Sequence, residues 1–155
     1  MPTDPLQTPI DTAADLISAH AYFAADPALT ALTEKVGNLT NALLTNLGKL
    51  GLSIAVLAPE LGDLKTRGDG FEAELPIVVE ISENVMLNKT DRGAWEATKE
   101  VVRALHKKPN GLDPVGAMHR AGINEISINP ELAAKRIPHA KFLVYHVYAY
   151  TRVIF

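Results

Sequence analysis

The sequence predicts a single α+β domain in which an antiparallel or mixed β-sheet carries helices packed on one face. Three observations predict it. Apolar residues recur at helical spacing in two long stretches, they alternate strictly with polar residues in another, and the C-terminal stretch is dense in β-branched and aromatic side chains. The order helix, strand, strand, helix, irregular segment, strand is that of an α+β domain. With 155 residues, 47% of them hydrophobic, the chain is long enough to bury one core, and no internal repeat or second domain is visible.

Residues 1–10 carry Pro2, Pro5 and Pro9, which fix φ and remove backbone donors, so they are expected to form an extended arm preceding a domain of residues 11–155. Asp11 suits the cap of a short helix over Thr12 to Ala25, stopped by Asp26 and Pro27. Leu29, Leu32, Val36, Leu39, Leu43, Leu47 and Leu50 trace one apolar stripe, the signature of a longer helix from Thr30 to Leu50 that ends at Gly48 and Gly51. Leu52 to Ala58, short and apolar between Gly51 and Pro59, reads as a strand buried on both faces.

Residues 60–70 mix Gly62, Gly68 and Gly70 with Asp63, Lys65, Arg67 and Asp69, the composition of an exposed, mobile loop. Beyond it, Phe71, Ala73, Leu75, Ile77, Val79 and Ile81 alternate with Glu72, Glu74, Pro76, Val78, Glu80 and Ser82, which places a core face and an acidic face on one strand. Pro76 has no ladder donor, so it favours an edge or a bulge. Helical spacing returns through Trp95, Thr98, Val102 and Leu105, with Asp91 a candidate N-cap and Lys107 and Lys108 suited to the C-terminal end. Pro109-Asn110-Gly111 turns the chain, and Asp113-Pro114 reads as the start of one or two helical turns over Val115 to Ala121. Ile123, Ile126 and Ile128 suit a short strand, Glu131 to Arg136 a brief helical or turn segment, and Lys141 to Phe155 a long final strand.

The chemistry is sparse. No cysteine is present, which excludes disulfides, thiolate metal sites and thiol nucleophiles. A formal charge of −3 argues against a strongly cationic nucleic-acid grip. The N-terminal residues have neither the basic nor the apolar part of a secretory signal, and no stretch has membrane-span length, so a soluble intracellular product is expected. Phosphate-loop, dinucleotide-binding and nucleophile-elbow motifs do not occur. His20, His106, His119, His139 and His146 lie at no metal-ligand spacing, and Glu72, Glu74 and Glu80 read as a solvated acidic strand face rather than an acid/base pair. Arg67-Gly68-Asp69 reads as an ordinary turn. No catalytic residue, cofactor site or metal site is therefore expected.

The strand Val79-Glu80-Ile81-Ser82-Glu83-Asn84, then Asn88, then the helix from Ala94 to His106 form a combination that resembles the tail terminator and tail-completion proteins of long-tailed bacteriophages. The likeness extends in pattern over roughly residues 28–155. It implies a non-enzymatic virion subunit, assembled in the host cytoplasm, that forms a homomeric ring, usually a hexamer, at the head-proximal end of the tail. Such a ring ends tube growth and joins the tube to neck proteins, with DNA passing transiently and no membrane involved. On this reading Glu72, Glu74 and Glu80 face the channel or an interface, and Asp63, Lys65, Arg67 and Asp69 belong to an inter-subunit loop. The alternative is a small cytoplasmic ligand- or protein-binding module with a ferredoxin-like arrangement.

Overall fold

A computed structural model describes residues 4, 6–26, 29–58, 62–88, 93–106, 113–114, 119–121 and 129–155. Its centre is a ribbon of two long antiparallel strands, β3 (Gly70–Asn84) and β6 (Phe142–Ile154), paired from Glu72↔Ile154 to Asn84↔Phe142. On the outer side of β3 lie β1 (Leu52–Leu57), opposite Val78 to Glu83, and β2 (Leu64–Arg67), opposite Gly70 to Ala73. On the outer side of β6 lie the short β4 (Asp113–Pro114) and β5 (His119–Ala121). All these pairings are antiparallel, and helices pack against the sheet, as an α+β domain requires.

The hydrogen-bond polarity of the ribbon explains Pro76. Phe71 and Phe155 exchange both backbone bonds, at 2.7 and 3.0 Å, so odd-numbered residues of β3 turn their backbone groups toward β6 and even-numbered ones toward β1 and β2. Asn84, even-numbered, accordingly donates to the Gly51 carbonyl on the β1 side at 2.8 Å. Pro76 therefore directs its missing donor to the side where β2 has ended at Ala73 and β1 starts only at Val78. Among the described residues no strand pairs with Pro76 on that side, so its missing donor breaks no described ladder bond.

Alternate strand residues feed two cores. Ile54, Val56, Leu75, Ile77, Val79, Ile81, Val147 and Ala149 face α1 (Gln7–Ala19), α2 (Ala21–Ala24) and α4 (Ala94–Leu105), meeting Ile17, Phe23, Val101 and Leu105. The opposite strand face carries Ala55 and Val144, which pack with Leu43, Leu44 and Leu47 of α3 (Leu39–Lys49) and Ala133 of α5 (Pro130–Arg136). Helix packing thus extends to the second face. Among the described residues it covers one end of the sheet there, where Ala55 and Val144 lie, and β2 and the distal halves of β3 and β6 run on past α3 and α5.

Several expected boundaries move, each for a local reason. The N-terminal arm is shorter than ten residues: α1 begins at Gln7, and Pro9 fits its first turn, where no intrahelical donor is needed. Asp11 is inside that helix rather than at its cap. Its carboxylate receives Lys35 Nζ at 2.6 Å, and that bond, outweighing a small opposing effect of burial, holds its pKa below the ordinary aspartate range. A depressed carboxylate pKa adds stability above the unfolded value, and this contribution disappears as pH falls through the folded one. Lys35→Ala should raise the Asp11 carboxyl pKa toward its ordinary value in an NMR titration.

The expected helix from Thr30 to Leu50 is broken. Leu32 instead bridges β1 in parallel, donating to Ile54 O at 2.8 Å and accepting from Val56 N at 2.7 Å. Only Glu34–Val36 forms a single 3₁₀ turn before Gly37, at φ 76°, and Asn38, whose side chain caps α3 by accepting from Asn41 N. The apolar spacing from Leu29 to Leu50 therefore joins an edge segment to a helix.

The expected mobile loop contains β2. Gly68, at φ 57°, supplies the first position of a two-residue hairpin turn between Arg67 and Gly70. Of the expected helical turns from Asp113 to Ala121, Asp113-Pro114 is instead β4 and His119–Ala121 is β5, both paired with β6, and Val115 to Met118 lie outside the described residues. The readings placed on Lys107 to Gly111 and on Ile123 to Ile128 lie outside the described residues, and so does Asp91, while Gly93 holds the N-cap position of α4. The expected brief helical or turn segment near Glu131 is α5, capped by Asn129 with Pro130 at its start.

Candidate functional site: the distal β-ribbon

Past the helices, β2, β3 and β6 form a three-stranded end with two unlike faces. The face continuing the first core carries Leu64 and Phe71, 56% and 44% exposed, and the C-terminal Phe155, whose ring centroid lies 6.0 Å from that of Phe71. Ile154, 52% exposed, lies on the other face opposite Glu72. Four large apolar side chains at one end, none covered by a described helix, constitute a surface that water solvates poorly.

The second face holds the acidic row expected from the sequence, but the three carboxylates differ in kind. Glu72 is held between two arginines, Arg152 Nε at 2.9 Å and Arg67 Nη1 at 3.0 Å, so its charge is neutralised. Glu74 is exposed and has no ion pair among the described residues. Glu80 is not on a wet face at all: it is 2% exposed, opposite His146 in register, with Oε2 at 3.4 Å from His146 Nε2. The expectation of a solvated acidic strand face is corrected at Glu80, which is buried. Alternation put Glu80 on the right face, but its half of that face lies toward the second core rather than in solvent.

Asp63, Lys65, Arg67 and Asp69 are all exposed along the hairpin. Asp63, Lys65, Glu72, Glu74, Tyr150 and Arg152 line a shallow cleft of about 340 Å³ on the same face. A mixed set of charges open to solvent is suited to meeting another polar surface more than to enclosing a small molecule.

The histidines disperse. His20 accepts from Tyr22 N at 3.4 Å as the cap of α2 and lies 3.6 Å from Glu100 of α4, while His106 ends α4 and His139 is an exposed residue at φ 63°. His119 enters only as the register partner of His146 in β5. Among the described residues no three histidine or carboxylate side chains group as metal ligands, and no helix is long and apolar enough to cross a membrane.

A structural carboxylate went unassigned in the sequence. Glu83 is odd-numbered, so it lies on the first-core face with Ile77, Val79 and Ile81 and is 8% exposed. Its Oε2 accepts from Ala94 N at 2.7 Å, the first residue of α4, and its Oε1 from Asn88 Nδ2 at 2.9 Å. A strand carboxylate thus serves as the N-terminal partner of a helix that has no side-chain cap of its own, with favourable charge at the positive helix end. The parity of the strand was the available signal, since a carboxylate on a core face needs donors.

Together these features define an antiparallel α+β domain with a polar and apolar β-ribbon at the end that no described helix covers. No protein-family model matches the sequence, and no curated protein does.

Proposed function

We propose that this chain is a non-enzymatic structural subunit that assembles with copies of itself, and that its assembly is the ring at the head-proximal end of a long-tailed phage tail. The observation that carries self-assembly is the distal ribbon, where Leu64, Phe71, Ile154 and Phe155 stand exposed beside an open strand edge and a charged hairpin. The resemblance of the strand from Val79 to Asn84 and the helix from Ala94 to His106 to tail terminator proteins supports the reading of its place in a virion. On this reading the hairpin of Asp63, Lys65, Arg67 and Asp69 reaches a neighbouring subunit, and tube and neck proteins are the further partners. The channel wall is not assigned to the Glu72 and Glu80 face, because one carboxylate is neutralised and the other buried.

Static light scattering of the full chain over a concentration series tests the assembly. The expected mass is that of about six copies or a multiple of it, as a closed cyclic oligomer requires. A mass of one or two copies at every concentration would contradict the ring.

A further inference from the structure

We propose that subunits of the ring join head to tail, with Leu132 of α5 on one copy seated in an acid-rimmed cleft of the next. This rests on the ring reading and names the two surfaces that meet. The cleft, of about 280 Å³, opens between the start of α1, the end of β1 and β3. Its floor is apolar: Leu75 is buried, and Leu6, Ile10 and Ala58 are half-buried against the first core. Its rim carries Asp4 and Glu34, both exposed and without an ion pair among the described residues. Lys35, next to Glu34 in the chain, is already bonded to Asp11 at 2.6 Å. An apolar floor under an uncompensated acidic rim fits an apolar side chain accompanied by cations.

Helix α5 offers that combination. Among the described residues two large exposed apolar side chains lie on helices, Trp95 on α4 and Leu132 on α5. The cation beside Trp95, Lys99, is bound to Glu96 at 2.7 Å. Leu132 is followed at the third and fourth positions by Lys135 and Arg136, which share its helix face and are exposed. Neither has an ion pair among the described residues, and the Asn41 side chain that accepts from Arg136 is neutral and leaves its charge uncompensated. With Glu131 in its first turn, α5 still keeps a net positive charge. The exposed strand residues lack this pattern: Leu64 lies between Asp63 and Lys65, and Arg152, between Tyr150 and Ile154, is bonded to Glu72.

The two surfaces lie apart, as a ring requires. The cleft is on the first-core face, near the distal end of β3 at Leu75. Helix α5 packs through Ala133 on the second face, beside Val144, whose register partner Ser82 lies toward the other end of β3. One subunit can therefore give α5 to one neighbour while its cleft accepts α5 from another, and a contact between unlike surfaces closes into a ring when its rotation allows. In the separate subunit Leu132 is exposed, so its replacement acts on assembly and not on the fold.

Two charge-reversed forms of the full chain test it. Asp4→Lys with Glu34→Lys makes the rim basic like α5, and Lys135→Glu with Arg136→Glu makes α5 acidic like the rim. By light scattering each alone should fall from about six copies to one, and an equimolar mixture should regain the mass of the unaltered chain, because alternating subunits then set unlike charges at every contact. Recovery on mixing also shows that both altered chains fold. Leu132→Ala should lower the mass in the same way. A ring mass kept by either altered chain alone, or a mixture that stays at one copy, would overturn the contact and leave the ring standing. The ring reading is separated by the unaltered chain: one copy at every concentration removes ring and contact together, whereas a mass that grows with concentration without limit keeps the contact and removes the closed ring.

Discussion

Leu47→Ala should lower the free energy of unfolding by about 3 kcal/mol, within the range for truncating a fully buried leucine. Leu47 is 0% exposed on α3, packed with Leu43, Leu44, Ala55, Ala133 and Val144. That cluster is small and lies between a helix and one end of the sheet, so few neighbours can move in to fill the space left by the removed atoms. Alanine suits the helix itself, which leaves the loss to packing alone. Urea unfolding monitored by circular dichroism reads the change as a shift in midpoint. Leu132→Ala on α5, where the side chain is 38% exposed, serves as the comparison and should cost much less. A loss below about 1 kcal/mol at Leu47 would mean that the second core contributes little.

Glu83→Ala should be comparably damaging, at about 3 kcal/mol, because it removes two charge-assisted acceptors and strands a buried donor. The Ala94 N–H loses its partner at 2.7 Å, and the Asn88 side chain loses one at 2.9 Å. Ala94 is itself 0% exposed, so water does not readily replace the carboxylate. Glu83→Gln keeps the shape and one carbonyl acceptor while presenting an NH₂ group to the other donor, and it should recover part of the loss. The same urea titration measures both variants. Equal stability of Glu83→Ala and the unaltered chain would show that α4 does not depend on this carboxylate.

How much of this was legible in the sequence depends on how far each signal is local. The alternation from Phe71 to Ile81 and the β-prone run from Phe142 to Ile154 identified the two longest strands, and the structure pairs them with each other along nearly their whole length. Asn129 and Pro130 read as a break in the sequence, and the structure shows that they also cap and open α5, through chemistry confined to a few residues. The leucine stripe from Leu29 to Leu50 misled because spacing cannot distinguish a helix from an extended segment docked beside one, although Gly37 and Asn38 were an interpretable break. Strand β2 has no hydrophobic pattern: Lys65 and Arg67 are held by backbone bonds to β3 and by the Arg67–Glu72 pair.

The candidate site was legible in composition but not in state. Alternation placed Glu72, Glu74 and Glu80 on one strand face, yet nothing in that pattern tells that Arg67 and Arg152 neutralise the first or that His146 lies against the last. Those partners come from sequence-distant strands, and only the β3–β6 register brings them together. The exposed apolar end was equally hidden, because Phe71 and Ile154 follow the same alternation as the buried residues beside them. What distinguishes them is that the described helices stop short of the ribbon's end.

Electron microscopy of the purified full chain tests the central claim most directly. Class averages should show closed rings with about six copies around an open centre, built through the distal ribbon. Uniform small particles with no ring, at concentrations well above those of assembly in a cell, would contradict the account.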